Sequence, residues 1–181
     1  MRSDTVRMPG GTTAQRDVVE LPGAVGIVAM DEADQVLMVR QYRHPVGRRL
    51  WEIPAGLLDS TTESALEAGQ RELYEEGGLV ASSWWTLLDL LTSPGLSDET
   101  IRVFLARGLT SADQEFARFD EEAELERRWV PLDEAVASCM AGTIENGITV
   151  AGILAAATTL RRGDRLREPD APWLARKPGA R

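Results

Sequence analysis

Histidine and cysteine are nearly absent from this chain, with one of each, His44 and Cys139, in 181 residues. A single cysteine excludes an internal disulfide and any multi-cysteine zinc site. A single histidine excludes a His-pair metal site and leaves little room for a Ser-His-Asp triad. Long apolar runs are missing too. The longest apolar-leaning stretch, 147–160, is broken by Thr149, Gly152, Thr158 and Thr159, and it falls short of the roughly 20 residues that span a bilayer. The first eleven residues hold no apolar segment of signal-peptide length. The expectation is a cytoplasmic protein with no membrane partner. Basic residues are outnumbered, 20 Lys and Arg against 29 Asp and Glu, giving a formal charge of −9. Nucleic-acid binding needs Lys and Arg clustered against phosphates, so no nucleic-acid partner is expected. A phosphorylated small molecule remains a suitable ligand where cations are recruited locally.

What is present is an ordinary globular composition, 43% hydrophobic and 27% charged, at a length that suits one domain with a short appendage. Residues 6–8 and 12–20, around Pro9-Gly10-Gly11, read as two strands and a turn. The apolar run 24–30 reads as a buried strand, and 35–42 as a second strand forming a hairpin with it. Further strands are expected at 50–53, 83–91, 101–106 and 127–130. Helices are expected at 63–77, 132–141 and 148–161, with Asp133 and Asn146 as N-caps of the last two. The stretch 114–126 is an acidic loop. Beyond Arg161 the chain turns basic and carries Pro169, Pro172 and Pro178. It reads as an irregular, solvated tail, although Trp173 offers a side chain that can dock on the body or on a partner. The pattern is that of a mixed α/β domain with a helix embedded between its strands.

The informative segment is 56–79, GLLDSTTESALEAGQRELYEEGGL. Residues three and four apart share a helix face, so Glu72, Glu75 and Glu76 crowd three carboxylates together, at a cost of a few tenths of a kcal/mol per like pair. Arg71 is placed to pair with Glu75. A divalent cation is the natural partner for the others. All-oxygen donors without His or Cys point to Mg²⁺ or Mn²⁺ rather than Zn²⁺. A glutamate run is ordinarily a solvated helix face, but two features set this one apart. It ends in Gly77-Gly78-Leu79, a helix stop, and it follows 51–56 (WEIPAG), a strand that turns sharply at Gly56.

The segment resembles the signature of the Nudix hydrolases: Gly, five residues, Glu, seven residues, then Arg-Glu-apolar-x-Glu-Glu-x-Gly-apolar. From Glu63 onward the match is complete through Arg71, Glu72, Leu73, Glu75, Glu76, Gly78 and Leu79. The one departure is a loop of six residues, not five, between Gly56 and Glu63. Gly69 sits inside the helix, where glycine costs up to about 1 kcal/mol relative to alanine; close packing against the sheet is a reason for it. Pro94, fifteen residues after the signature, resembles the ADP-ribose pyrophosphatase branch. So do 40–44 leading into 51–56, and the late acidic loop followed by Trp129-Val130-Pro131.

This resemblance implies a Nudix-type α/β/α sandwich around a mixed sheet, with a short N-terminal β-hairpin extension. It divides the chain into a hairpin, 1–21, that helps form a homodimer, a catalytic domain, 22–162, and the basic tail, 163–181. It implies metal ligands at Glu72, Glu76 and the backbone carbonyl of Ala55, with Glu75 assisting. The late loop supplies the catalytic base, assigned to Glu122 with Glu124 as a neighbouring helper; Glu121 remains an alternative register. Arg43, Glu52, Pro94 and Gly95 are implied substrate contacts. His44 reads as packing or a surface turn. The implied activity is Mg²⁺-dependent hydrolysis of ADP-ribose to AMP and ribose 5-phosphate. Alternatives are another nucleoside diphosphate derivative (a nucleotide sugar, a dinucleotide or an oxidised nucleotide) and a non-catalytic ADP-ribose sensor. Sensors of that kind often lack signature glutamates, and all three are present here.

Overall fold

The computed structural model describes residues 1–58, 62–112 and 125–174. The chain opens with a hairpin, β1 (Arg2–Arg7) and β2 (Thr13–Val18). Then come β3 (Ala24–Ala29), β4 (Gln35–Arg43), a 3₁₀ turn (His44–Val46), β5 (Arg48–Glu52) and β6 (Ala55–Leu57). Helix α1 (Ala65–Glu72) runs into a π turn (Leu73–Gly77) and then β7 (Leu79–Leu91) and β8 (Thr100–Ser111). Strand β9 (Glu126–Pro131), α2 (Leu132–Met140) and α3 (Gly147–Arg162) complete the order.

The strands form two main sheets, ordered β6-β3-β8-β7 and β5-β4-β9. Pairing is antiparallel except between β3 and β8, which run parallel from Ala24↔Ile101 to Ala29↔Ala106. Strand β3 is buried on both faces, and its alternation separates two layers of core. Val25, Ile27 and Ala29 pack with Ala68 of α1, Leu73 of the π turn and Phe104, whereas Val28 packs with Ile153 and Ala156 of α3. Helices therefore cover opposite faces of a mixed sheet, the α/β/α sandwich expected from the sequence. The expected N-terminal hairpin is present, beginning at Arg2 rather than at Val6.

Local chemistry explains the helix starts. The Ser64 hydroxyl accepts from the Glu67 N–H at 3.2 Å, and the Glu67 carboxylate accepts from the Ser64 N–H at 2.7 Å, a reciprocal capping box. Asn146 Oδ1 accepts from the Thr149 N–H at 3.0 Å, as the sequence predicts. Asp133 does not cap α2. The helix starts at Leu132 with Pro131 in the N-cap position and no side-chain cap, and Asp133 sits inside the first turn, paired with Arg161 at 2.8 Å. Strands β3 and β4 also depart from the expected hairpin, sharing only the bridge Met30↔Val36. Each is central in its own sheet, with both edges already taken. Gly69 does approach the sheet closely, since a Cβ there would lie 3.3 Å from the Phe104 ring. No helix among the described residues is long and apolar enough to cross a membrane.

Candidate active site

The glutamate segment is not a solvated face. Glu72 is 7% and Glu76 5% exposed, while Glu75 is half-buried. The helix widens into the π turn as it passes these residues, and it stops at Gly78 in the left-handed region, φ 66°. Such widened turns concentrate at functional sites. Strand β6 clasps the carboxylates. A Cβ on Gly56 would lie 1.9 Å from Glu72 Oε1, so only glycine lets the strand approach this closely. The Ala55 N–H donates to Glu76 Oε2 at 2.9 Å, and Gln41 Nε2 reaches Glu76 Oε1 at 3.4 Å.

Arg71 does more than pair with Glu75. Its guanidinium binds both oxygens of Glu63 at 3.0 and 3.2 Å, Glu72 at 2.5 Å and Glu75 at 3.2 Å. Glu63 thereby becomes the brace of the arginine rather than a fourth acid facing the cluster. A second arginine, Arg127 of β9, donates from Nε to the Glu76 carbonyl at 2.6 Å and from Nη2 to the Glu75 carbonyl at 3.4 Å. These are carbonyls that a helix end leaves without intrahelical partners. The guanidinium lies where a Cβ on Gly78 would meet it at 2.7 Å.

Burial is the main force on Glu76, pushing its carboxyl up to about 8, with the charges of Glu72 and Glu52 adding to the shift. The Ala55 N–H and the Arg43 charge oppose it without cancelling it. Burial thus disfavours a bare charge on Glu76, and a cation beside it would favour the ionised form. Two buried carboxylates on an all-oxygen wall fit a hard divalent cation. Among the described residues no three His, Cys, Asp or Glu side chains form a closed cage.

Beside this corner lies a cleft of about 370 Å³, lined by Ala55 and Gly56 of β6 together with Arg43, Glu52, Leu50, Glu99 and Ile148, among others. Glu52 is 1% exposed and is held by Arg43 at 2.7 Å (Nη2–Oε2) and 3.1 Å (Nε–Oε1). The structure therefore brings together Glu72, Glu75, Glu76, Ala55, Arg43 and Glu52. Pro94 and Gly95 lie in the exposed turn between β7 and β8 and do not line the cleft. Glu122 and Glu124 fall outside the described residues. His44 occupies an exposed 3₁₀ turn, its ring 6.4 Å from that of Tyr42. Sequence reasoning missed the roles of Arg127, Gln41 and Glu99 at this site, and read Asn146 only as a helix cap. For Arg127 a signal existed, an arginine directly after the acidic loop.

A sandwich with paired carboxylates on a glycine-braced helix end defines a class, and residues 20–148 match the NUDIX domain. The chain belongs to the Nudix hydrolase superfamily. It is 48% identical to the ADP-ribose pyrophosphatase of Mycobacterium tuberculosis over 176 residues, covering 97% of this chain and 84% of that one. It is 38% identical to the ADP-ribose pyrophosphatase of Bacillus subtilis over 133 residues, 74% of this chain and 71% of the other. Among solved structures, an ADP compounds hydrolase superposes with a TM-score of 0.74 at 22% identity, covering 90% of this chain and 86% of that one, which establishes the shared fold.

Proposed function

We propose that the chain hydrolyses the pyrophosphate bond of ADP-ribose to AMP and ribose 5-phosphate. The observation that carries this reading is the adjacency of two buried carboxylates, Glu72 and Glu76, to a cleft that shares Ala55 and Gly56 with them. Glu72, Glu76 and the Ala55 carbonyl would hold Mg²⁺ or Mn²⁺, with Glu75 assisting. A bound divalent cation neutralises diphosphate oxygens and lowers the pKa of water. The chain's own residues do the rest. Arg71 keeps Glu72 and Glu75 in place, Arg127 fixes the turn below them, and Arg43, steadied by Glu52, contacts a phosphate or ribose. Glu122, with Glu124 beside it, takes the proton of the attacking water. The water oxygen bonds to phosphorus as the bridging P–O bond breaks, and the departing phosphate keeps the electron pair. Phosphoryl transfer of this kind depends on positioning and electrostatics, in keeping with a site rich in carboxylates.

Residues 22–162 are the catalytic domain in this reading. The 1–21 hairpin, whose two strands pair only with each other among the described residues, is the contact of a cytoplasmic homodimer. The exposed turn at Pro94 and Gly95 serves the part of the nucleotide that extends beyond the cleft. The test is a hydrolysis panel of ADP-ribose, nucleotide sugars, NADH and oxidised nucleotides with Mg²⁺ or Mn²⁺, with products separated by chromatography. AMP and ribose 5-phosphate formed fastest from ADP-ribose is the expected result, and faster turnover of another substrate overturns it.

A further inference from the structure

The described part of the segment after α3, 163–174, is not a solvated tail. It crosses the sheet and is bound at each step. At β7, the outer strand of its sheet, the Thr86 N–H donates to the Arg167 carbonyl at 3.0 Å and the Thr86 hydroxyl to the Pro169 carbonyl at 3.2 Å. This covers backbone that an edge strand otherwise leaves open. The ladder between β7 and β8 shifts register at Thr86/Leu88, where the segment arrives. Further on, Arg102 of β8, only 3% exposed, holds Asp89 at 2.8 and 3.1 Å and donates to the Ala171 carbonyl at 2.7 Å. Arg167 reaches the same Asp89 at 2.9 Å.

Trp173 lies near the end of the described segment. Its ring lies 4.9 Å from the Arg102 guanidinium, and its indole N–H donates to the Thr100 hydroxyl at 3.0 Å. Its body packs against the cluster of Val25, Leu58, Ala68 and Phe104. Two members of that cluster bracket the signature connection. Leu58 follows β6, whose Gly56 meets the Glu72 carboxylate, and Ala68 lies on α1, which ends at Glu72. Leu58 is fixed on its other side by its N–H to the Gly23 carbonyl at 3.0 Å.

We propose that Trp173 is a positioning residue: the segment from Arg167 to Trp173 is a strap that seats Leu58 and Ala68, and through them holds Gly56 against Glu72 at the metal-binding corner. The proposal rests on the reading of that corner given above and deepens it. Groups that hydrogen-bond a metal ligand are worth about ten- to a hundredfold in metal affinity; Trp173 acts through packing on the elements that carry the ligand, so its effect is set at the low end of that range, whereas a mere surface tether is worth nothing there.

The test uses the full chain with Trp173→Ala, Trp173→Leu and Trp173→Phe. Mn²⁺ alone is titrated by the loss of its free EPR signal, and the Mg²⁺ dependence of ADP-ribose hydrolysis is measured alongside. Trp173→Ala is expected to weaken Mn²⁺ binding and raise the half-saturating Mg²⁺ by about tenfold, with the KM for ADP-ribose at saturating metal nearly unchanged. Trp173→Phe keeps a ring over Arg102 and restores most of the loss. Trp173→Leu retains apolar bulk for folding and falls between the two, so it decides the matter if the alanine variant does not fold. Folded variants that melt earlier yet bind Mn²⁺ like the wild type make the strap merely structural and overturn the proposal. If the wild type binds Mn²⁺ but leaves ADP-ribose intact, the substrate reading fails and the Mn²⁺ titration alone judges the strap. A wild type that binds no Mn²⁺ overturns both.

Discussion

Two corners of this molecule bury charge in opposite ways. Around Asp89, every oxygen is spoken for: Arg102 binds both, Arg167 adds a third contact, and Arg102 itself is completed by a carbonyl and a tryptophan face. Around Glu72 and Glu76, acids outnumber the arginine that reaches them, and burial drives the Glu76 carboxyl up to about 8. A saturated ionic cluster has nothing left to bind and serves the architecture. An under-neutralised one is held in an unfavourable state by the fold around it, a state that a proton relieves and that a cation would relieve as well. The difference separates scaffold from site more clearly than charge count does, because both corners are built of carboxylate and guanidinium.

Four substitutions test that contrast. Glu76→Gln has the largest expected effect, a loss of turnover by orders of magnitude, while the metal-free protein gains stability. With a folded pKa near 8 against an ordinary value of 4.5, the folded chain holds more protons than the unfolded chain between those values. Stability without metal therefore falls as pH rises through that window. In EDTA the variant should melt above the wild type at pH 9 and together with it near pH 5; a lower melting temperature at pH 9 breaks the contrast. Next, Glu122→Gln should slow hydrolysis by roughly 10²–10⁴-fold with Mn²⁺ binding retained. If only Glu121→Gln or Glu124→Gln does so, the base is the other residue. At the saturated corner the sign reverses. Asp89→Ala leaves the buried Arg102 without its carboxylate and should cost about 3–5 kcal/mol in urea unfolding. The smallest effect is Ser64→Ala, which removes the cap of α1 and should cost about 1 kcal/mol by the same measurement.

The site was legible in the sequence where its logic is local. The spacing of Glu72, Glu75 and Glu76, the stop at Gly78 and the cap at Asn146 all act within a few residues. The spacing also predicts a helix over 63–77, but not that its last turn widens, because that turn is shaped by Arg127 from a strand about fifty residues on. Arg71 reads locally as the partner of Glu75; that it grips Glu63 as well is a contact across eight residues that helix spacing alone does not give. Likewise, the prolines and charges of 163–174 read as a solvated tail because the groups that capture it, Thr86, Asp89, Thr100 and Arg102, belong to β7 and β8. Local pattern named the side chains, and long-range pairing decided which of them carry a burden.

The parallel pairing of β3 with β8 has a consequence for the order in which the molecule is made. Ala24 waits for Ile101, and β8 must enter between β3 and β7 before the sheet beneath α1 exists. During synthesis the glutamates at 72–76 therefore leave the ribosome well before the strand that supports them. A released fragment ending near residue 95 carries the complete signature and should capture no Mn²⁺, and such late, distant closure is the kind that slows folding.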